Sequence, residues 1–352
     1  MAKAVREDIL NGPLRIVAIG GGTGLSTILH GLKRHASPQA PKIEVTAIVT
    51  VTDDGGSSGR LRREFAVLPP GDIRNCLVAL SEDEALLSRM FQYRFSEGRG
   101  LKGHSFGNLF LTALTDLTGD FASAVRLASE ILASRGHIIP STAENVVLEA
   151  QLKSGKILKG ESNISKSREP IDWIHALPRA PQPLAETIDA IRNADLITLG
   201  PGSLFTSVIP NLLIRGIPRE IVRATGVRAY MTNLMGQPGE TVDFSAADHV
   251  AALIRHAGIS ERKAGTLLDY VIVNSTPFPK AALRRYAAQR SRPVSIDDDR
   301  LRTMGLRVIE ADLIGRAEKI RHSPELAAEV LIRLARLGRR RRQILARESA
   351  SK

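Results

Sequence analysis

"IVAIGGGTGLSTILHGLK" (Ile16 to Lys33) joins four apolar residues to three consecutive glycines, a threonine, a fourth glycine and a segment of helical periodicity. An apolar run that ends in bare backbone and opens a helix is the strand–turn–helix unit of a parallel α/β sheet. At the start of such a helix the first peptide N–H groups have no intrahelical partner and the dipole is positive, which suits a diphosphate. Gly20, Gly21, Gly22, Thr23 and Gly24 are therefore candidate ligand contacts, because phosphate oxygens can approach a chain that lacks Cβ atoms. A tight packing turn is the competing reading, and three glycines in a row exceed what packing is expected to need. The dinucleotide fingerprint G-x-G-x-x-G is not met, since the sixth position is Leu25 counted from Gly20 and Thr27 counted from Gly22. Nor is a Walker A loop: "GRGLKGHS" (Gly98 to Ser105) has His104 where the lysine belongs.

Working outward, the same alternation recurs. Strands are predicted at "LRIVAIG" from Leu14, "IEVTAIVTVT" from Ile43, "ADLITLG" from Ala194, "VRAYMTN" from Val227 and "DYVIVN" from Asp269. Helices are predicted over 25–35, 73–80, 83–94, 106–117, 121–133, 184–192, 205–214 and 246–256. Residues 146–161 alternate about a Ser-Gly turn, a hairpin signal, and the Pro-rich "ALPRAPQPL" follows. The fold class is thus α/β: a Rossmann-like, mostly parallel sheet covered by helices on both faces, with a small β-hairpin insertion and a C-terminal helix. One domain spans 1–337, with the hairpin excursion at about 146–182, and 338–352 form a basic tail. Residues 292–302, which include "DDDR", read as an exposed connection.

An apolar fraction of 43% with 24% charged residues is that of an ordinary globular protein, which excludes general disorder. No window approaches a membrane-spanning apolar run, and "MAKAVREDILNGPLR" lacks a signal-peptide core, so a cytoplasmic protein is expected. The single cysteine, Cys76, reads as a small buried side chain in "NCLVAL" rather than a reactive thiol. Of the net charge of +12, the stretch Arg333 to Lys352 carries +7, from seven arginines, one lysine and one glutamate. That tail reads as a solvated, frayed extension, with polyanion or membrane-surface attraction as the alternative. Aromatic residues at 4% leave few base-stacking platforms, so nucleic acid is not the expected partner.

The second loop, "TVTDDGGSSGRLRREF", follows the second strand. Asp53 and Asp54 at a strand's carboxyl end could hold Mg²⁺ beside a phosphate or accept from a sugar hydroxyl; Gly55 and Ser57 stand beside them, and a basic patch follows at Arg60, Arg62 and Arg63. An Asp-rich capping turn is the plainer alternative. In "LPPGDIRNCL", Asp72 reads as a helix N-cap, with Arg74 and Asn75 in the first turn. "GHSFGNL" places His104, Ser105 and Asn108 at another helix start, and His104 reads as structural before catalytic. "LITLGPGSLFTSVIPNLL" repeats the strand, glycine turn and helix, with Gly202 and Ser203 offering a second nest of N–H donors.

Together, "GGGTGLS", "VTDDGGSSGRLRREF", "PPGDIRNCL", "GHSFGNL" and "LGPGSLFTSVIPNLL" resemble the gluconeogenesis-factor (YvcK-like) family, a branch of the 2-phospho-L-lactate transferase (CofD) superfamily. The resemblance spans 14–334 and leaves out the basic tail. It implies a cytoplasmic regulator of cell-envelope morphogenesis and cell shape on gluconeogenic carbon sources, with UDP-N-acetylglucosamine as the nucleotide-sugar ligand. No further cofactor is required, and envelope-synthesis or sugar-metabolism proteins are the implied partners. A homo-oligomer is expected. Carried onto this sequence, Gly20 to Gly24 hold the diphosphate, Asp53, Asp54, Gly55, Ser57, Asn75 and Asn108 face the same crevice, and Gly202 and Ser203 close it. The alternative within the superfamily is a transferase of phospholactyl-type groups to a deazaflavin alcohol, with Mg²⁺ held by Asp53 or Asp54. The lack of an added aromatic platform favours the binding branch.

Overall fold

In the computed structural model, residues 12–36, 43–82, 86–315 and 319–350 are described. Seven strands form one wholly parallel sheet: β1 (Leu14–Gly20), β2 (Ile43–Val49), β3 (His137–Pro140), β7 (Leu196–Leu199), β8 (Val227–Met231), β9 (Tyr270–Asn274) and β10 (Arg307–Ala311). Their spatial order is β10-β9-β8-β7-β1-β2-β3. The chain winds outward from β1 through β2 to β3, then returns to the other side of β1 and winds outward again from β7. Between β1 and β7 lies the topological switch point, where doubly wound sheets open a crevice at the carboxyl ends of the strands.

The alternation along β1 builds two cores. Ile16 and Ala18 face one layer, with Val45, Ala47 and the helices α1 (Gly22–Lys33), α3 (Gly71–Leu80) and α7 (Pro324–Ala350). Val17 and Ile19 face the other, with Ile197, Leu199, the π-helical turn Leu204–Val208 and α6 (Ala246–His256). Every second residue of a strand points to the opposite face, so a strand buried on both sides must be apolar throughout, as "IVAI" is. Two more helices bear on the site, α2 (Gly56–Phe65) and α4 (Phe106–Thr118).

The expected insertion is a separate antiparallel sheet of three strands, in the order β5-β4-β6: β4 (Val147–Leu152), β5 (Ile157–Lys159) and β6 (Ile171–Leu177). The short helix α5 (Glu161–Lys166) links β5 to β6.

Several expectations are corrected. Residues 292–302 are not all exposed connection: a short helix spans Asp298–Thr303 and buries Leu301. The helix expected over 83–94 is seen as Leu86–Gln92, and residues 83–85 lie outside the described residues. The basic tail is a continuation of α7, in which Arg339 and Arg342 are only 8% and 6% exposed. Both contact the buried carboxylate of Asp195, through Arg339 Nη2 at 2.6 Å and Arg342 Nη1 at 3.0 Å. A guanidinium can be buried when a carboxylate and carbonyl oxygens take its protons, and Gly12 and Pro13 supply the carbonyls for Arg339.

Candidate functional site: two glycine turns and a carboxylate cluster

The turns after β1 and β7 face each other across the switch point and wall a cavity of about 350 Å³. Gly21 to Gly24 and Thr27 form one side, Pro201, Gly202 and Ser203 the other, and residues 233–238, Tyr286, Arg321 and His322 are among the rest of the lining. Of the residues expected at the ligand, this cavity gathers Gly21, Gly22, Thr23, Gly24, Gly202 and Ser203. Gly20 stands behind it, its carbonyl accepting from Thr50 N at 2.9 Å.

The glycines have reasons beyond a ligand, which corrects the expectation that packing needs fewer of them. A Cβ on Gly21 would stand 2.6 Å from the Asp72 carboxylate, and one on Gly24 would collide with the Pro201 carbonyl. Gly22 has φ +64°, in the left-handed region. The close neighbours of this backbone are thus an acid and the second turn, with the cavity on the open side. No side chain at the N-cap, Gly21, covers the start of α1.

Asp72 is the second correction. The helix begins at Gly71, its N-cap is Pro70, and Asp72 makes no cap bond of its own helix. Its carboxylate instead accepts from the Gly22 N–H, under the glycine turn. Burial first, and the charge of Asp53 second, push its pKa up to about 6 against the pull of that N–H and of Arg74. Asp53 belongs to the second strand's loop and Gly22 to the first glycine turn, so Asp72 links these two parts of the site.

Asp53 and Asp54, adjacent in sequence, diverge. Asp53 Oδ1 accepts from Gly55 N at 2.8 Å, and its other oxygen lies against Gly71, where a Cβ could not fit. Asp54 Oδ1 accepts from Ser162 N at 2.8 Å, at the start of α5, with its other oxygen against Gly160. Asp54 therefore docks the insertion onto the domain, and the insertion returns a carboxyl of its own. Glu161 is pushed up to about 9, by burial first and then by Asp53, Asp72, Asp54 and Glu240. Among the described residues no three His, Cys, Asp or Glu side chains converge as a metal site.

The remaining expected residues form a polar web around Arg74. Its guanidinium donates to Ser105 Oγ at 2.7 Å, Asn108 Oδ1 at 3.1 Å and Asn75 Oδ1 at 2.9 Å. Asn108 in turn donates to Ser58 Oγ, and Ser105 caps α4 by accepting from Asn108 N. Ser57 Oγ and His104 Nδ1 share a hydrogen bond at 3.0 Å, whose donor is set by the ring tautomer, and burial, then Arg60, lowers the histidine's pKa. Ser57, Asn75 and Asn108 thus belong to this web and do not line the glycine cavity. Of the basic patch, Arg62 is buried and donates to Val146 O of the insertion's approach.

At the β7 turn the first N–H groups are largely taken. Gly202 N donates to Asn233 Oδ1 at 3.1 Å, and Phe205 N to Glu240 Oε2 at 3.2 Å, while Ser203 Oγ donates to Gln237 Oε1 at 2.8 Å. Glu240 is 2% exposed, and burial raises its pKa to about 7 against the hydrogen bonds from Phe205 and Thr206. On the far wall His322 donates from Nε2 to the Thr232 carbonyl, and burial lowers its pKa to about 4, leaving a neutral ring. Asn233, Glu240, Arg321 and His322 were not among the expected residues. Only Asn233 carried a signal, its place at the end of "VRAYMTN".

A wholly parallel doubly wound sheet with paired glycine turns at its switch point defines the class. A family model described as 2-phospho-L-lactate transferase CofD matches residues 16–314. The chain belongs to the gluconeogenesis-factor family within that class. It is 45% identical over 321 residues to the gluconeogenesis factor of Bacillus subtilis (strain 168), covering 91% of this chain and 98% of that protein. It is 41% identical over 318 residues to the gluconeogenesis factor of Halalkalibacterium halodurans, covering 90% and 95%. A crystal structure of a Bacillus halodurans protein matches with a TM-score of 0.85 at 41% identity, covering 91% of this chain and 99% of that one.

Proposed function

We propose that the cavity between the two glycine turns binds a nucleotide sugar of the UDP-N-acetylglucosamine kind, and that the protein is a cytoplasmic regulator of cell-envelope morphogenesis and cell shape on gluconeogenic carbon sources. The observation that carries the reading is the cavity itself: it lies at the switch point, and its lining includes the first turn of α1, which no N-cap side chain covers. Asp72 takes the Gly22 N–H and no N-cap side chain covers the rest of the helix start, which leaves N–H donors for an anion, and among the described residues Arg321 is the one arginine on the wall to meet a second negative group. A volume of about 350 Å³ is at the small end of ligand cavities, which fits a diphosphate with part of its sugar or base in the opening. Regulation then requires that the ligand favour one arrangement of the turns, passed to a partner in envelope synthesis or sugar metabolism.

The transferase reading draws on the family model's name, with Mg²⁺ held by Asp53 or Asp54. A thermal-shift panel separates the two, because a ligand that binds the folded state raises its melting temperature. UDP-N-acetylglucosamine is expected to raise it without Mg²⁺, and Arg321→Ala to reduce the shift. If no nucleotide sugar moves the transition while a guanine nucleotide does so only with Mg²⁺, the transferase reading replaces this one.

A further inference from the structure

The arginine-rich end of α7 is two-faced. Arg339 and Arg342 turn inward to Asp195, and Gly338 packs so closely that a Cβ would collide with the Asp195 carbonyl. The outward face carries Arg333, Arg336, Arg340, Arg341 and Arg347, against Glu348 as the acid among them. Three large apolar side chains share that face: Leu337 is 45%, Ile344 56% and Leu345 39% exposed. At 3.6 residues per turn Leu337 and Ile344, seven positions apart, point the same way. Arg333 and Arg340 lie nearly in line with them, Arg336 and Arg347 flank one side and Arg341 the other. Arg333 pairs with Glu329 at 3.9 Å and Arg341 with Asp269 at 3.2 Å, whereas Arg336 and Arg340 have no acidic partner among the described residues.

We infer that this outward face of α7 is a docking surface for an anionic lipid bilayer. Apolar side chains in the middle of a cationic helix face can enter the headgroup and acyl boundary while the flanking arginines meet lipid phosphates. Each part is suited to that occupant and less to others. A nucleic-acid backbone would use the charges and gain nothing from Leu337 and Ile344. A second copy of the same face would set arginines against arginines. The face is a convex helix with no groove for a peptide, and no helix among the described residues is long and apolar enough to cross a membrane, so contact would be peripheral. The burial of Arg339 and Arg342 gives the surface its order, since the helix is pinned before any lipid is met. The cavity residue His322 stands just before α7, at the opposite end of this helix from Ile344.

The test is flotation of the full-length protein with vesicles of phosphatidylcholine alone and of equal parts phosphatidylcholine and phosphatidylglycerol, at low salt. Retention is expected on the anionic vesicles only, weakening as salt rises. Arg336→Gln with Arg340→Gln should reduce partition roughly 30-fold, which corresponds to about 1 kcal/mol for each arginine at an anionic surface. Leu337→Ser with Ile344→Ser should reduce it further than salt alone can. All four side chains are exposed, so an unchanged melting temperature verifies that the variants fold. The proposal is overturned if the wild-type chain fails to float with anionic vesicles at low salt. It is equally overturned if the two serine substitutions leave retention unaltered and duplex DNA competes fully, which would mark a surface for any polyanion. Nucleotide-sugar binding is measured separately and can succeed or fail independently of either result.

Discussion

The β1 turn and the β7 turn begin from one pattern, an apolar strand running through glycines into a helical segment, and end in different states. After β1 no N-cap side chain covers the helix start, and the acid beneath it, Asp72, takes one N–H. After β7 the chain supplies its own ligands: Asn233 on Gly202 N and Glu240 on Phe205 N. A glycine turn before a helix is therefore only a capacity for anion binding. Residues brought in from other segments decide whether that capacity stays open, and here they close one side of the crevice and leave the other.

The largest expected effect comes from forcing the two turns apart. Gly24→Ala places a methyl against the Pro201 carbonyl, and both are backbone-held, so the cost should be about 3 kcal/mol or more. Chemical denaturation would measure it, and a loss well under that figure would mean the turns can separate cheaply. Next is pH. Asp72, Glu161 and Glu240 have folded pKa values of about 6, 9 and 7, all above their ordinary values. A carboxyl whose pKa is raised by folding favours the native state while protonated, and that benefit is lost as pH climbs from its unfolded to its folded value. For Asp72 the window lies between about pH 4 and 6 and is worth about 3 kcal/mol. The wild-type protein should be less stable at pH 7 than at pH 5, and Asp72→Asn should flatten that slope in thermal melts. The same substitution should flatten the pH dependence of nucleotide binding, since an anion beside Asp72 favours its protonated form and wild-type affinity should fall as pH rises above 6.

Opening the closed turn should have an intermediate effect. Glu240→Ala leaves the Phe205 N–H and the Thr206 hydroxyl without their buried acceptor, at a cost of about 2 kcal/mol. If anion binding at the β7 turn is limited by this plug, the variant should gain affinity for inorganic phosphate, read by calorimetry. The smallest effect is expected at the cavity's rim, where Ser203→Ala removes one hydrogen bond to Gln237 and should cost about 1 kcal/mol or less. A larger loss there would place more of the turn's rigidity in that single contact.

Five of the seven parallel strands were legible because each is an apolar run ended by a turn. β3, "HIIP", is too short to carry a periodicity, and β10, "RVIEA", mixes charge with apolar residues at an edge of the sheet, so neither stood out. The two glycine turns could be placed at one crevice because parallel strands bring their carboxyl ends together. What local pattern could not show was pairing at a distance. "DD" carries no sign that Asp53 turns to Gly71 and Asp54 to Ser162 of the insertion. "PPGD" suggests a cap, but the acid crosses to Gly22, which lies on another strand's turn. Glu240 carries no local signature at all, because its role depends on the N–H groups of residues 35 positions earlier.

Asp195 sits at the start of the central strand β7 with none of its surface exposed, and the groups that neutralise it come from the end of the chain, Arg339 lying 144 residues later. The middle of the sheet is consequently finished by a helix far removed from it in sequence. Until α7 is docked the sheet has a bare carboxylate at its centre, so the domain is complete only with that helix in place. Shortening the protein after Leu337 would strand the same charge for good, at a cost of about 3–5 kcal/mol, and such a truncation would report on folding before it reported on anything the arginines do at the surface.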